Sequence, residues 1–270
     1  MTRFLHITDL HVSAPETDDP GRQTDTVASL DRLLDIATRL DPRPDFIVAS
    51  GDLTNIGDRA SYDLVAARFA ALDIPVAMTL GNHDRRDGWH AAFPDHPAAP
   101  DGPVDHDMVQ AGVHIIALDS SVPGKVAGAL DAAQLERAQD MLARHPDLPK
   151  LIAVHHPPRI DPDEPLPWAT LDADSTEKLA ALLKGHNVLA ILSGHIHLNR
   201  VALWNGIPLV VTMGQQSTVD LTRTDAMAVV EGTGFAICDL LPGGPRITFA
   251  PLETGRLIKE IPVERLRAFS

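Results

Sequence analysis

The sequence predicts an α/β fold, and three observations carry that prediction. Short runs rich in Val, Ile and Leu recur along the chain, helical patterns lie between several of them, and polar residues of ligand type follow nearly every run. The runs occupy 4–7, 46–49, 76–80, 114–118, 151–154 and 188–192. Each is apolar at consecutive positions, the pattern of a strand buried on both faces. Apolar residues at threes and fours mark the helices: Val27, Leu30, Leu34 and Ala37; Leu64, Ala67 and Ala71; Leu135, Ala138 and Leu142; Leu179, Leu182 and Leu183. Beyond residue 200 the pattern turns to hairpins, with Asn205-Gly206 between two apolar runs and Pro242-Gly243-Gly244-Pro245 between two more. Without a low-complexity linker or repeat, residues 1–270 read as one domain, with irregular loops at 85–105 and 156–174.

Composition narrows the partners. Lys plus Arg total 23 against 37 Asp plus Glu, a formal charge of −14. A surface that grips polyanions must neutralise phosphates, so long nucleic acid and anionic membrane are excluded as expected partners. Cys238 stands alone, cannot form an intrachain disulfide and reads as a buried apolar filler. The N-terminal residues carry no apolar signal segment, and no run approaches the ~18 apolar residues of a membrane span. The expected location is cytoplasmic. Aromatic residues make up 4% of the chain whereas histidines number 13, which directs attention to metals or acid–base chemistry.

The chemistry-bearing residues are regular in position. Asp9 and His11 follow the first run, Ser50-Gly51-Asp52 the second and Gly81-Asn82-His83-Asp84 the third; His155-His156 and Ser193-Gly194-His195-Ile196-His197 follow later ones. Ligands of open α/β sheets bind outside the carboxyl ends of the strands, so groups distant in sequence are expected to converge there. Asp9, His11, Asp52, Asn82, His155, His195 and His197 are too many donors for one four-coordinate zinc and suit two borderline divalent ions. The i, i+2 spacing of Asp9 with His11 and of His195 with His197 puts each pair on one side of an extended chain, and a tight loop could also close each pair on one ion. Glycines before Asp52, Asn82 and His195 permit sharp turns and close backbone approach.

The ordered series DLH, GD, GNHD, HH and GHIH over residues 9–197 resembles the calcineurin-like metallophosphoesterase superfamily. Residues 118–124 and His155-His156-Pro157-Pro158 are similar to the bacterial class III cyclic-nucleotide phosphodiesterases and the related glycerophosphodiesterases. The resemblance implies a four-layer α-β-β-α sandwich with two mixed sheets and a metal site at the strand C-terminal ends. It implies one ion on Asp9, His11, His197 and Asp52, and a second on Asn82, His155, His195 and the same bridging Asp52. The ions would be Mn, Fe, Zn or Co, since oxygen and nitrogen donors without cysteine suit all four. Such a pair presents a bridging hydroxide for in-line attack on phosphorus. His83 is implied to stabilise the transition state or protonate the leaving oxygen, and Asp84 to fix its tautomer. Asn82, His83 and, more weakly, His156 are the expected substrate contacts.

The expected activity is hydrolysis of small phosphodiesters, either 3',5'-cyclic nucleotides or glycerophosphodiesters. The same core serves phosphomonoesterases and nucleotide pyrophosphatases, and a metal sensor without turnover is a further alternative that intact His83 and Asp84 disfavour. Relatives often form homodimers or higher homo-oligomers, and the hairpin segment after residue 200 is the expected interface. Trp89, Phe93 and Trp168, in the irregular loops, either stack on a substrate or pin the loops, the commoner role. Arg85 and Arg86 either meet a substrate anion or form a solvated rim. Asp119-Ser120-Ser121 lacks the surrounding nucleophile elbow and reads as a turn or a supporting layer. His6, His90, His96, His106, His114, His145 and His186 lack ligand spacing and read as structural.

Overall fold

The computed structural model describes residues 1–98, 102–161, 163, 168–223, 225–253, 255–256 and 258–267. In chain order the first half runs β1 (Thr2–Ile7), α1 (Thr26–Arg39), β2 (Phe46–Ser50), α2 (Arg59–Ala70), β3 (Val76–Thr79), α3 (Arg86–Ala92), β4 (His106–Gln110), β5 (Val113–Leu118) and α4 (Ala132–Arg144). The second half runs β6 (Lys150–Val154), α5 (Ala173–Leu183), β7 (Val188–Ser193), β8 (Arg200–Trp204), β9 (Ile207–Val211), β10 (Thr218–Val219), β11 (Val229–Val230), β12 (Gly234–Leu241), β13 (Gly244–Pro251) and α6 (Val263–Arg267).

Two mixed sheets form the centre. One has the order β13-β12-β1-β2-β3, with β1, β2 and β3 parallel and β12 antiparallel to β1. The other has the order β4-β5-β6-β7-β9-β8, with β5, β6, β7 and β9 parallel between antiparallel edge strands. Phe4, Phe46, Val48, Ile115, Leu151, Leu192 and Cys238 fill the space between the sheets. The outer face of the first sheet packs on α1–α3 through Leu30, Leu33, Tyr62, Val65 and Trp89. That of the second packs on α4 and α5 through Leu142, Leu179 and Leu183. The result is the expected α-β-β-α layering, and it explains the consecutive apolar runs: these strands have no solvent face.

Local chemistry sets the boundaries. Helices α1, α2, α4 and α5 each start on an aspartate cap, Asp25, Asp58, Asp131 and Asp172, whose carboxylate accepts a first-turn backbone N–H. On α4, Gln134 returns the bond to close a capping box. Asn205 and Gly206 both take positive φ, 50° and 83°, and close the β8–β9 hairpin. Two sequence expectations need correction. The 85–105 stretch holds a short helix, α3, and the hairpin-rich segment divides, β8–β9 joining one sheet and β12–β13 the other. Trp89, on α3, is fully buried against Phe93, which is the loop-pinning role given as the commoner, and does not stack on a substrate. Among the described residues no helix is long and apolar enough to cross a membrane.

Candidate dinuclear metal centre

The strand C-terminal ends bring all seven ligand-type residues together. Asp9 and His11 follow β1, Asp52 follows β2 and Asn82 follows β3; His155 follows β6, while His195 and His197 follow β7. Asp9, His11, Asp52 and His155 are buried. The Asp9, His11 and His197 donors can converge on one ion, and so can those of Asp9, Asp52 and His155. Asp9 Oδ1 lies 3.3 Å from His197 Nε2 and 4.0 Å from His11 Nε2, and the two imidazoles are 3.2 Å apart, Nε2 to Nε2. Asp52 Oδ2 stands between groups, 3.7 Å from His11 Nε2 and 3.3 Å from His155 Nε2. Asn82 Oδ1 is 2.9 Å from His195 Nδ1.

The tautomers follow from partners that can only accept. Ser50 O takes the Nδ1–H of His155 at 2.9 Å, and Ser217 O takes that of His197 at 3.1 Å. Asn55 Oδ1 takes that of His11 at 3.0 Å; the amide is oriented because its Nδ2 donates to Asp19. Each of these rings therefore turns its Nε2 toward the carboxylates, the arrangement of a metal-binding histidine held by an oxygen acceptor behind it. His155 Nε2 is buried 3.3 Å from the Asp52 carboxylate, and the Nε2 atoms of His11 and His197 face each other at 3.2 Å, so without an ion each gap has to be bridged by a proton. A cation between the donors can take the place of those protons. Donor atoms sharing one ion at about 2.1 Å lie from about 3.0 Å apart at right angles to about 4.2 Å apart when opposite, so spacings of 3.2–4.0 Å fit a divalent metal.

The same groups polarise one another. Burial would raise the carboxyl pKa values of Asp9 and Asp52, but His197 beside the first and His155 beside the second hold both below the usual range. Burial pulls His155 downward, and the Asp52 charge overcomes it to hold the ring at about 9. At His11 and His195 burial wins, and both fall to about 4.

The backbone explains why these side chains converge. Asp9, His11, Asp52, His195 and His197 all adopt left-handed φ between 44° and 73°. Non-glycine residues seldom do so, and such strain concentrates at functional sites. Asp9 and His11 therefore meet through a left-handed turn rather than on one side of an extended strand. A side chain at Gly194 would strike Thr8 Oγ1 and the Asp9 carboxylate, and one at Gly81 would strike Asp52 and the His155 ring.

Two expected roles change. His83 Nδ1–H donates to the carbonyl of Asn55 at 2.8 Å, not to Asp84. Asp84 faces the opposite way and accepts from the backbone N–H groups of Leu53, Thr54 and Gly81 and from the Tyr62 hydroxyl. Burial, then the Asp52 charge, raise its pKa to about 6. His156 is also buried with both ring nitrogens engaged, Nδ1 with Ser120 Oγ at 2.8 Å and Nε2 with Val126 O at 2.9 Å, so it supports the 120–126 loop rather than substrate. Arg86 is held by Asp119 and Ser121 O. Trp168, with Val126, Ile196, Val219 and Met227, lines a cavity of about 400 Å³ over the cluster. Sequence reasoning missed Asn55, whose side chain orients His11 and whose carbonyl orients His83; a carbonyl has no sequence signature, and only its place three residues after Asp52 pointed to it.

Residues 2–199 match the calcineurin-like phosphoesterase family. The chain belongs to that family. It is 34% identical over 223 residues to a cAMP/cGMP dual-specificity phosphodiesterase of Mycobacterium tuberculosis, covering 81% of this chain and 69% of the relative. It is 32% identical over 192 residues to a probable glycerophosphodiester phosphodiesterase of Arcobacter nitrofigilis, covering 70% of each. A dimetal phosphatase from Danio rerio shares the fold, with TM-score 0.67 and 16% identity over 93% of this chain and 99% of that one. Family membership and phosphodiesterase relatives identify a metal-dependent phosphodiester hydrolase.

Proposed function

We propose that this phosphoesterase cleaves small phosphodiesters, of the 3',5'-cyclic nucleotide or glycerophosphodiester type named for its relatives, at a pair of divalent ions. The observation that carries the reading is the set of Nε2 atoms of His11, His155 and His197, locked from behind and aimed at Asp9 and Asp52. One ion would be held by Asp9, His11, His197 and Asp52, the other by Asn82, His155, His195 and Asp52. When bound, the pair supplies Lewis acidity to the phosphoryl oxygens and lowers the pKa of a water toward neutrality. The water oxygen bonds to phosphorus, the bond to one alcohol oxygen breaks with its electron pair, and that oxygen takes a proton. His83 is the residue placed to give it as an imidazolium: its Nδ1–H is spent on the Asn55 carbonyl, the Nε2–H on the substrate side is the proton transferred, and the ring is left neutral.

The test is metal content together with rates on bis(4-nitrophenyl) phosphate and 4-nitrophenyl phosphate. About two ions per chain and preference for the diester support the reading. A preference for the monoester moves the chain to the phosphomonoesterases, and bound metal with neither ester cleaved makes it a sensor. A homo-oligomer through edge strand β8 belongs to the same proposal: Val201 and Leu203 are 58% and 75% exposed there. Light scattering on the wild type and on Leu203→Glu checks it, a monomeric wild type being the contrary result.

A further inference from the structure

The cluster opens onto two cavities. Asn82 and His83 line both. The first is the 400 Å³ space that holds the metal-facing side chains. The second, about 550 Å³, is bounded by Ile56, Arg85, Arg86, Ser121, Val122 and Pro123 and contains none of the other ligand-type residues except Asn82.

The walls of this second space are built rather than incidental. Asp84 is fixed by backbone donors of two loops, and the Arg85 backbone N–H donates to Tyr62 Oη at 2.9 Å. The Arg85 stem lies so close to Gly57 that any side chain there would collide with its Cβ, Cγ and Cδ. Arg86 ties this wall to the facing one through Asp119 and Ser121 O. Arg85 is thus set at the cavity and pairs with Asp87, which also lines it, at 3.2 and 3.3 Å, its one ion-pair partner among the described residues, and both side chains are more than half exposed. Such a pair contributes little and gives way to a competing anion.

A cyclic diester keeps both ester oxygens on one sugar and needs only one cavity. An acyclic diester has two independent arms. In-line displacement sends the departing arm away from the attacking oxygen, and His83, which protonates it, stands on the border of the second cavity. We propose that this cavity is the leaving-alcohol subsite for an acyclic phosphodiester, and that Arg85 selects a leaving group bearing negative charge. The proposal rests on the hydrolytic reading above and adds which arm leaves and what it carries.

The experiment uses the full chain loaded with metal and two chromogenic diesters, methyl 4-nitrophenyl phosphate and methyl 3-carboxy-4-nitrophenyl phosphate. The readout is the ratio of their kcat/KM values, carboxylated over plain, after correction for intrinsic reactivity. The wild type is expected to favour the carboxylated ester about three- to tenfold, the size of a charge-assisted bond at a partly exposed site. The ratio falls to about one in Arg85→Gln, inverts in Arg85→Glu, and shrinks as salt is raised. A wild-type ratio at or below one overturns the proposal. So does an Arg85→Gln variant that slows both esters alike, because a merely structural wall moves both rates and not their ratio. Failure of the hydrolytic reading looks different: neither ester turns over in the wild type with two ions bound.

Discussion

His83 and Asp84 are adjacent in sequence and belong to different networks. The His83 ring leans on a carbonyl, while Asp84 gathers the N–H groups of two loops beneath the site. Their substitutions should therefore separate. His83→Ala is expected to lower kcat by roughly 10²–10⁴-fold while metal content stays at the wild-type level; loss of metal in parallel would make His83 a ligand instead. Asp84→Ala strands buried donors on Leu53, Thr54, Gly81 and Tyr62, so on the order of 3 kcal/mol of stability should be lost. Thermal unfolding checks it, and a variant of wild-type stability with crippled activity would restore the orienting role that adjacency suggested. The candidate ligand cluster was legible because carboxylate, amide and imidazole must be encoded as side chains. The orienting groups of His83, His155 and His197 are backbone carbonyls, which every residue possesses, so no sequence pattern marks them.

At the scale of elements, strands buried on both faces announce themselves through consecutive apolar residues, and all six such runs became strands. Elements that show neither this pattern nor a helical or hairpin one were illegible. Edge strand β4, HDMVQ, is half polar because only one neighbour and one face hold it, and α3, RDGWHAA, contains a glycine and buries only Trp89. The left-handed turns were hidden for another reason: they occur on aspartate and histidine rather than glycine, held by the surrounding bonds. The loop after β1 meets the loop after β7 at Gly194, where His195 N–H donates to both Asp9 oxygens at 3.1 Å. Gly194→Ala is expected to push Asp9 aside and reduce bound metal below two ions per chain, measured by elemental analysis on folded protein. Full occupancy in that variant would show that the loops can part without cost to the site.

For the whole molecule, the centre joins the two sheets: Asp9, Asp52 and Asn82 follow strands of one, and His155, His195 and His197 follow strands of the other. Without metal, that junction depends on protonation. Burial lowers His6 and His106 to about 3 and His96, His11 and His195 to about 4. The unfolded chain takes up these protons near 6.5 and the folded chain does not, so their stability contribution is complete above 6.5 and is lost as pH falls toward 4 and 3. His155 behaves oppositely. Burial lowers it but Asp52 more than compensates, to about 9, so its contribution is complete below 6.5 and is lost as pH rises through 9; His197, raised by Asp9 against burial, acts in the same direction. The two sets oppose each other on either side of 6.5. Metal-stripped protein should therefore show maximum thermal stability near neutral pH, falling toward pH 4 on one side and pH 9 on the other. On the proposed ligand set, restoring metal would replace the protons on these imidazoles with a cation that braces both sheets, so it should raise the midpoint and flatten the alkaline limb. Calorimetry with and without chelator across this range is the check. An alkaline limb unaffected by metal would mean that His155 and His197 are not where the cation binds.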